Sequence, residues 1–316
     1  MMDTQLVVSS SPHIRGNEST QRIMLDVIIA LLPALAAGVY FFGYMALVHT
    51  AITVAACVLA EYITRKILKR DNTVGDLSAI VTGMLLAFNL PVGAPWWMGL
   101  VGGPVAIVIV KQFFGGIGQN FMNPALAARV VLLLSFPALM TVWREPLAWI
   151  SGTDAVTSAT PMALLKMDRM NDLPSLLDMF LGQRAGCIGE TSVLALLIGA
   201  GYLVYRKVIN PVTPFMFVLA VALFALFARG FDAMIYNIMG GGLILGAFFM
   251  ATDYSSSPLT TKGKVIFGLG CGVITAMIRM FGSLPEGVSF SILIMNILVP
   301  HIDRATLPKV FGGAKK

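Results

Sequence analysis

A chain of 316 residues that is 57% hydrophobic and 12% charged, with a mean hydropathy of +0.82, is too apolar for a soluble domain. Soluble domains run at about 45–50% apolar and about 25% charged residues. The net charge of +6 requires no nucleic acid, because the cytoplasmic loops of membrane proteins collect Lys and Arg. The three cysteines (Cys57, Cys187, Cys271) and three histidines (His13, His49, His301) lack metal-ligand spacing.

Residues 1–22 are polar, lack the positive-then-apolar start of a cleaved signal peptide, and read as a short cytoplasmic arm. Runs of about 20 mostly apolar residues then predict an all-α polytopic membrane protein of about ten spans. They fall near 23–42, 44–64, 77–95, 97–113 and 124–141, a first membrane half over 23–141, and near 187–205, 211–229, 233–251, 264–281 and 288–303, a second half over 187–303. Interruptions such as Asn89-Leu90-Pro91 and Asn120-Phe121-Met122-Asn123-Pro124 make broken helices as plausible there as full spans. A cytoplasmic tail over 304–316 completes the division.

With the N-terminus inside, the cytoplasmic segments hold Arg15, Arg22, Arg65, Lys66, Lys69, Arg70, Lys111, Arg206, Lys207, Lys262, Lys264, Arg304, Lys309, Lys315 and Lys316, fifteen of the 22 basic residues. Arg144, Lys166, Arg169, Arg184, Arg229 and Arg279 fall outside, and Arg129 lies within a span. This bias places both termini in the cytoplasm and the loop 142–186 outside.

That loop contains Asp154-Ala155-Val156-Thr157-Ser158-Ala159-Thr160-Pro161. Thr160 before proline and Met162-Ala163-Leu164-Leu165-Lys166 has the form of an N-cap with proline at the first helical position. Its small neighbours also leave the hydroxyl open to a modifying enzyme. The same stretch resembles the flavin-attachment motif, Asp-x-x-Ser/Thr-Gly-Ala-Thr, of the family formed by the B subunit of the sodium-pumping NADH:quinone oxidoreductase and the D subunit of the Rnf complex. Asp154, Thr157, Ala159 and Thr160 fill their places, and Ser158 stands where glycine is usual.

Ser11-Pro12-His13, Asp76-Leu77-Ser78-Ala79-Ile80-Val81-Thr82-Gly83 and Gly118-Gln119-Asn120-Phe121-Met122-Asn123-Pro124-Ala125-Leu126-Ala127-Ala128-Arg129 extend the resemblance along the chain. The short arm favours the Rnf-type subunit. The resemblance implies FMN joined to Thr160 through a phosphoester by an FMN transferase acting outside the membrane. It further implies a place in a multisubunit complex of the bacterial cytoplasmic (inner) membrane that moves electrons between ferredoxin and NAD and translocates Na⁺ or H⁺. It leaves open a second, non-covalent flavin such as riboflavin.

A different class of reading is a flavin-free transporter or channel subunit with a midplane site between broken helices, and another is a scaffold for redox partners. Neither glycine cluster, Gly240-Gly241-Gly242 nor Gly268-Leu269-Gly270-Cys271-Gly272, has a nucleotide fingerprint, so direct nucleoside triphosphate binding is not expected. Close helix approach suffices for them. Arg129 and the acids Asp26, Glu61, Glu190 and Asp253, with Asp76 and Glu286 at span ends, read first as ion pairs or interfacial groups. Asn123 reads as a cap, and Glu190 as lying one turn into its span.

Laying Gly83-Met84-Leu85-Leu86 on Gly242-Leu243-Ile244-Leu245, and Gly103, Ile107, Phe114 and Gly115 on Gly270, Ile274, Phe281 and Gly282, suggests that 77–141 repeats as 233–303. An offset of five spans, an odd number, would invert the second copy, with Asn89-Leu90-Pro91 and Ala251-Thr252-Asp253 meeting near the midplane. The charge distribution carries its own test. A Ser175→Cys chain lacking the three native cysteines should react with an impermeant maleimide added to intact cells; labelling only in inside-out vesicles would reverse the orientation.

Overall fold

The computed structural model describes residues 19–151, 159–282 and 284–308. In chain order its helices are α1 (Thr20–Phe42), α2 (Tyr44–Ile67), α3 (Ser78–Phe88), and α4 (Trp97–Pro104), which continues as a wider π-wound segment over Val105–Gln112. Next come α5 (Pro124–Ser135), the single turns α6 (Pro137–Met140) and α7 (Ala148–Ser151), α8 (Pro161–Lys166) and α9 (Leu176–Leu181). The second half holds α10 (Val193–Tyr205), α11 (Val212–Arg229), α12 (Phe231–Met239), α13 (Leu243–Leu245) with a π continuation over Gly246–Met250, α14 (Thr261–Phe281) and α15 (Val288–Thr306). One isolated bridge, Pro91 to Cys187, is the only strand-like pairing assigned among the described residues.

Every expected span has a helix at its place, but not every helix is long enough to cross. Among the described residues, α1, α2, α11, α14 and α15 are long and apolar enough, and α12 with the segment Leu243–Met250 makes a sixth bent by 59°. Ser78–Phe88, Trp97–Gln112, Pro124–Ser135 and Val193–Tyr205 are shorter apolar helices. Of the ten expected places, five or six thus hold a helix or bent pair long enough to cross by length and composition, and four hold shorter apolar helices. Local breaks end the short ones: α3 stops at Asn89, just before Pro91, and α5 stops before Pro137.

Glycine sets how closely the helices approach. A Cβ on Gly268 would stand 2.7 Å from the Thr213 carbonyl, and one on Gly272 2.4 Å from the Ala220 Cβ, so α14 lies directly on α11. Gly99 against Thr53 and Gly103 against Ala56 do the same for α4 on α2, again four residues apart and hence on one helix face. The equivalent glycines follow this contact pattern rather than the sequence match. Gly83 lies inside α3 against Val54, whereas Gly242 occupies a left-handed turn with φ of 66°.

The two short helices α3 and α13 each enter from a left-handed residue, Leu77 with φ of 65° and Gly242. Their C-terminal ends come together: the Asn89 amide lies 3.7 Å from the Met250 sulfur, and the Asn123 amide donates to the Met250 carbonyl at 3.2 Å. The expected neighbours thus meet one residue before Ala251. Asp253 follows in an irregular stretch, where its carboxylate accepts from Ser255, Ser256 and Asn120 at 3.1, 2.9 and 3.3 Å.

Buried acids are matched. Asp26 pairs with Arg206 at 3.1 Å and accepts from the Tyr202 hydroxyl. Glu61, fully buried, takes both 3.0 Å contacts of Lys111 and also accepts from Gln112 and Thr73. Removing one member of such a pair costs about 3–5 kcal/mol, because the other charge is left buried and alone. Lys111→Met should therefore lower the thermal unfolding midpoint in detergent sharply, and adding Glu61→Gln should recover most of the loss. Equal midpoints for parent and Lys111→Met would show that the pair carries no such weight.

Candidate functional site

Thr160 is the N-cap of α8. Its backbone is extended, its hydroxyl accepts the Ala163 N–H at 3.3 Å, and Pro161 occupies the first helical position, as the sequence pattern requires. Ala159, just before it, is exposed, whereas Asp154 and Thr157 lie outside the described residues. The expectation of an open hydroxyl needs correction. Thr160 is 4% exposed, because Met162 and Leu165 of α8 pack onto Ala233 of α12 and draw the cap inward.

The loop carrying Thr160 is fastened to both halves. The Leu147 N–H donates to the Phe41 carbonyl at 2.6 Å and the Trp149 indole to the Tyr40 carbonyl at 3.3 Å, which holds its start to α1. Lys166 donates to the carbonyls of Gly282 and Leu284, Arg229 to that of Leu165 at 2.7 Å, and Tyr236 to that of Pro174 at 2.9 Å, which holds the rest to the second half. Burial, together with the nearby Arg229 charge, moves Lys166 below the ordinary lysine range.

Thr160 borders a cavity of about 230 Å³ between α5 and α15. Val130, Leu133, Met140, Trp143, Leu284, Pro285 and Phe290 give it apolar and aromatic walls, with Arg129, Thr141, Glu286 and Ser289 as the polar groups. Mostly apolar walls with a few placed polar groups are the usual form of a site for a flat organic molecule. A smaller cavity of about 90 Å³, reached by Ser78, Lys111, Asn120, Asp253 and Tyr254, lies beside the start of α3.

Arg129, buried in α5, connects the first cavity to the meeting point of the short helices. Its Nη1 donates to Asn89 at 3.0 Å and Ser289 at 2.8 Å, and its Nη2 pairs with Glu286 and lies 3.9 Å from the Cys187 sulfur. The ion-pair reading of this arginine holds. Asn123 caps α5, accepting the N–H groups of Ala125 and Leu126.

Glu190 is corrected. It precedes α10, which starts at Val193, and sits in an irregular segment where its carboxylate accepts the Cys187 N–H at 3.2 Å. That segment pairs with the end of α3: Ile188 N–H donates to Leu90 at 3.1 Å and Gly189 N–H to Phe88 at 3.0 Å. The arginines counted as loop residues are also deeper than their positions implied. Arg184 donates to the Glu190 and Thr191 carbonyls, and Arg279 to the carbonyls of Asn237, Gly240 and Gly241 at the bend between α12 and α13.

The model of the NQR2, RnfD, RnfE family matches residues 7–312, nearly the whole chain. The chain belongs to this family. It is 54% identical to the D subunit of the Na(+)-translocating ferredoxin:NAD(+) oxidoreductase complex of Acetobacterium woodii, over 100% of this chain and 98% of that one. It is 42% identical to the D subunit of the proton-translocating ferredoxin:NAD(+) oxidoreductase complex of Clostridium ljungdahlii, over 96% of each chain. It is also 38% identical to the D subunit of the ion-translocating oxidoreductase complex of Stutzerimonas stutzeri, over 93% of this chain and 92% of that one.

For this member of the NQR2, RnfD, RnfE family, the sequence singled out Thr160 but did not show Trp143, Phe290 or the Arg129–Glu286 pair as its surroundings. An arginine inside an apolar span was the available signal, since a buried cation requires a partner. Nothing local identified Glu286, 157 residues away, as that partner.

Proposed function

We propose that this chain is the D-type membrane subunit of an ion-translocating ferredoxin:NAD⁺ oxidoreductase, with FMN joined to Thr160 by a phosphoester. The observation that carries the flavin assignment is the position of the hydroxyl: it borders a cavity with Trp143 and Phe290 in its walls and Arg129, Glu286 and Ser289 as its polar groups. An amphipathic ring with polar edges fits that lining. The relatives' names support the complex, its ferredoxin and NAD⁺ partners, and its coupling to Na⁺ or H⁺.

The attached group would supply the redox chemistry, while the protein positions and electrically tunes it. Thr160 anchors it, and the fastenings of the loop to α1, α12 and the segment before α15 fix where the anchor lies. The apolar walls exclude water from the ring, and the tether keeps its local concentration high. Attachment requires a transferase supplied by the host. The family resemblance supports a place in the bacterial cytoplasmic membrane, and the basic-residue distribution supports a loop outside with both termini inside.

Thr160→Val keeps the side-chain shape and removes the oxygen, at a capping cost of about 1 kcal/mol. Chains isolated from their native host should show flavin fluorescence in denaturing gels for the parent and none for Thr160→Val, with Thr160→Ser retaining it. Intact mass of the same samples should place the FMN adduct on the peptide containing Thr160. A fluorescent Thr160→Val chain would exclude this residue as the attachment point, and a parent without visible absorbance would favour the flavin-free transporter or the scaffold.

A further inference from the structure

Arg129 is the one basic side chain bordering the Thr160 cavity among the described residues, and it is held from three directions. Asn89 at the end of α3, Cys187 in the segment before α10, and Ser289 with Glu286 at the start of α15 surround its guanidinium. Its Nε is buried and has no hydrogen-bond partner among the described residues. A buried donor of this kind is rare and calls for an explanation. Glu286, with a side chain 16% exposed, borders the same cavity. The cavity is thus lined on one side by a fixed positive group and its negative counter-ion, in surroundings that screen charge poorly.

Reduction changes the charge of a flavin ring. Two electrons and one proton leave one net negative charge on it, and oxidation returns both electrons and the proton. On the reading above, the electrons come ultimately from reduced ferredoxin. A donor and charge held rigidly where negative charge develops stabilises that charge without reorganising.

We infer that Arg129 and Glu286 together set the reduction potential of the flavin carried on Thr160, Arg129 raising it and Glu286 lowering it. This rests on the flavin reading of Thr160. Arg129 is a tuning residue that also holds the break in α3 together through Asn89, and Glu286 moderates its charge. The opposite signs of the two effects separate an electrostatic role from a merely structural one. Loss of packing would disturb both variants alike.

The test uses the full-length chain isolated with its flavin attached, and titrates flavin absorbance against electrode potential. Glu286→Gln should favour the reduced form by about tenfold or more, which is about 30 mV upward for a two-electron couple. Arg129→Gln should shift the potential downward by at least as much, and Arg129→Lys should stay closer to the parent. If Arg129→Gln does not fold because Glu286 is left unpaired, Glu286→Gln alone and the double variant Arg129→Gln/Glu286→Gln still decide the matter. The double variant should fall between the single effects. In-gel fluorescence is read on the same samples, so a parent without bound flavin defeats the flavin reading itself. Flavin-loaded variants with unmoved potentials, or with shifts of the same sign, overturn the assignment of Arg129 and Glu286 while leaving the attachment at Thr160 intact.

Discussion

A helix that ends inside a membrane leaves carbonyls without partners, and the interior of this protein is arranged around that constraint. At the end of α3, the Phe88 and Leu90 carbonyls accept from Gly189 and Ile188, the Asn89 carbonyl faces the Cys187 thiol, and the Asn89 side chain binds Arg129. At the end of the opposing helix, Met250 is bound by Asn123. Gly189 has to be glycine for this contact, because a Cβ there would stand 2.3 Å from the Phe88 ring and Cβ. Asn123 thus serves backbone that a regular helix would have satisfied itself.

The same need explains two of the buried arginines. Arg184 and Arg279 bind carbonyls at two further breaks, before α10 and between α12 and α13, so each cation replaces a missing helical hydrogen bond. Arg129 instead holds the Asn89 side chain at the end of α3 and also stands in the wall of the cavity beside Thr160. The proposed flavin site and the central break are therefore parts of one polar cluster. A change at Glu286 or Ser289 reaches Asn89 through a single side chain.

Much of this was legible wherever the signal is local. The N-caps at Thr160 and Asn123, the stop at Asn89-Leu90-Pro91 and the close packing at the Gly268 cluster follow from residues within a few positions of one another. Helix length was less legible, because a short helix is as apolar per residue as a long one, whether it is buried like α3 or carries exposed Leu194, Leu197 and Ile198 like α10. Hydropathy therefore does not separate α3 or α10 from α1. Glu190 was misplaced for a related reason: Cys187 and Ile188 before it are buried because they pair with the end of α3, and not because they begin a helix. The Arg129–Glu286 pair and the inward face of Thr160 depend on contacts between the two halves. Those arise only once the chain has folded.

The burial of Thr160 has a consequence for the order in which the protein matures. The Thr160 side chain is nearly enclosed while Met162 and Leu165 remain seated on Ala233 of α12, which hinders a modifying enzyme. Unseating two such side chains costs about 1.5–3 kcal/mol each, so the exposed form is a small minority at equilibrium. Modification of the finished fold would be slowed by that fraction. A nascent loop, not yet strapped down by Lys166 and Arg229, offers the oxygen freely. On the proposed reading, attachment then belongs to a time window that closes as the second half of the chain packs, and the newly added group becomes part of what the loop folds around.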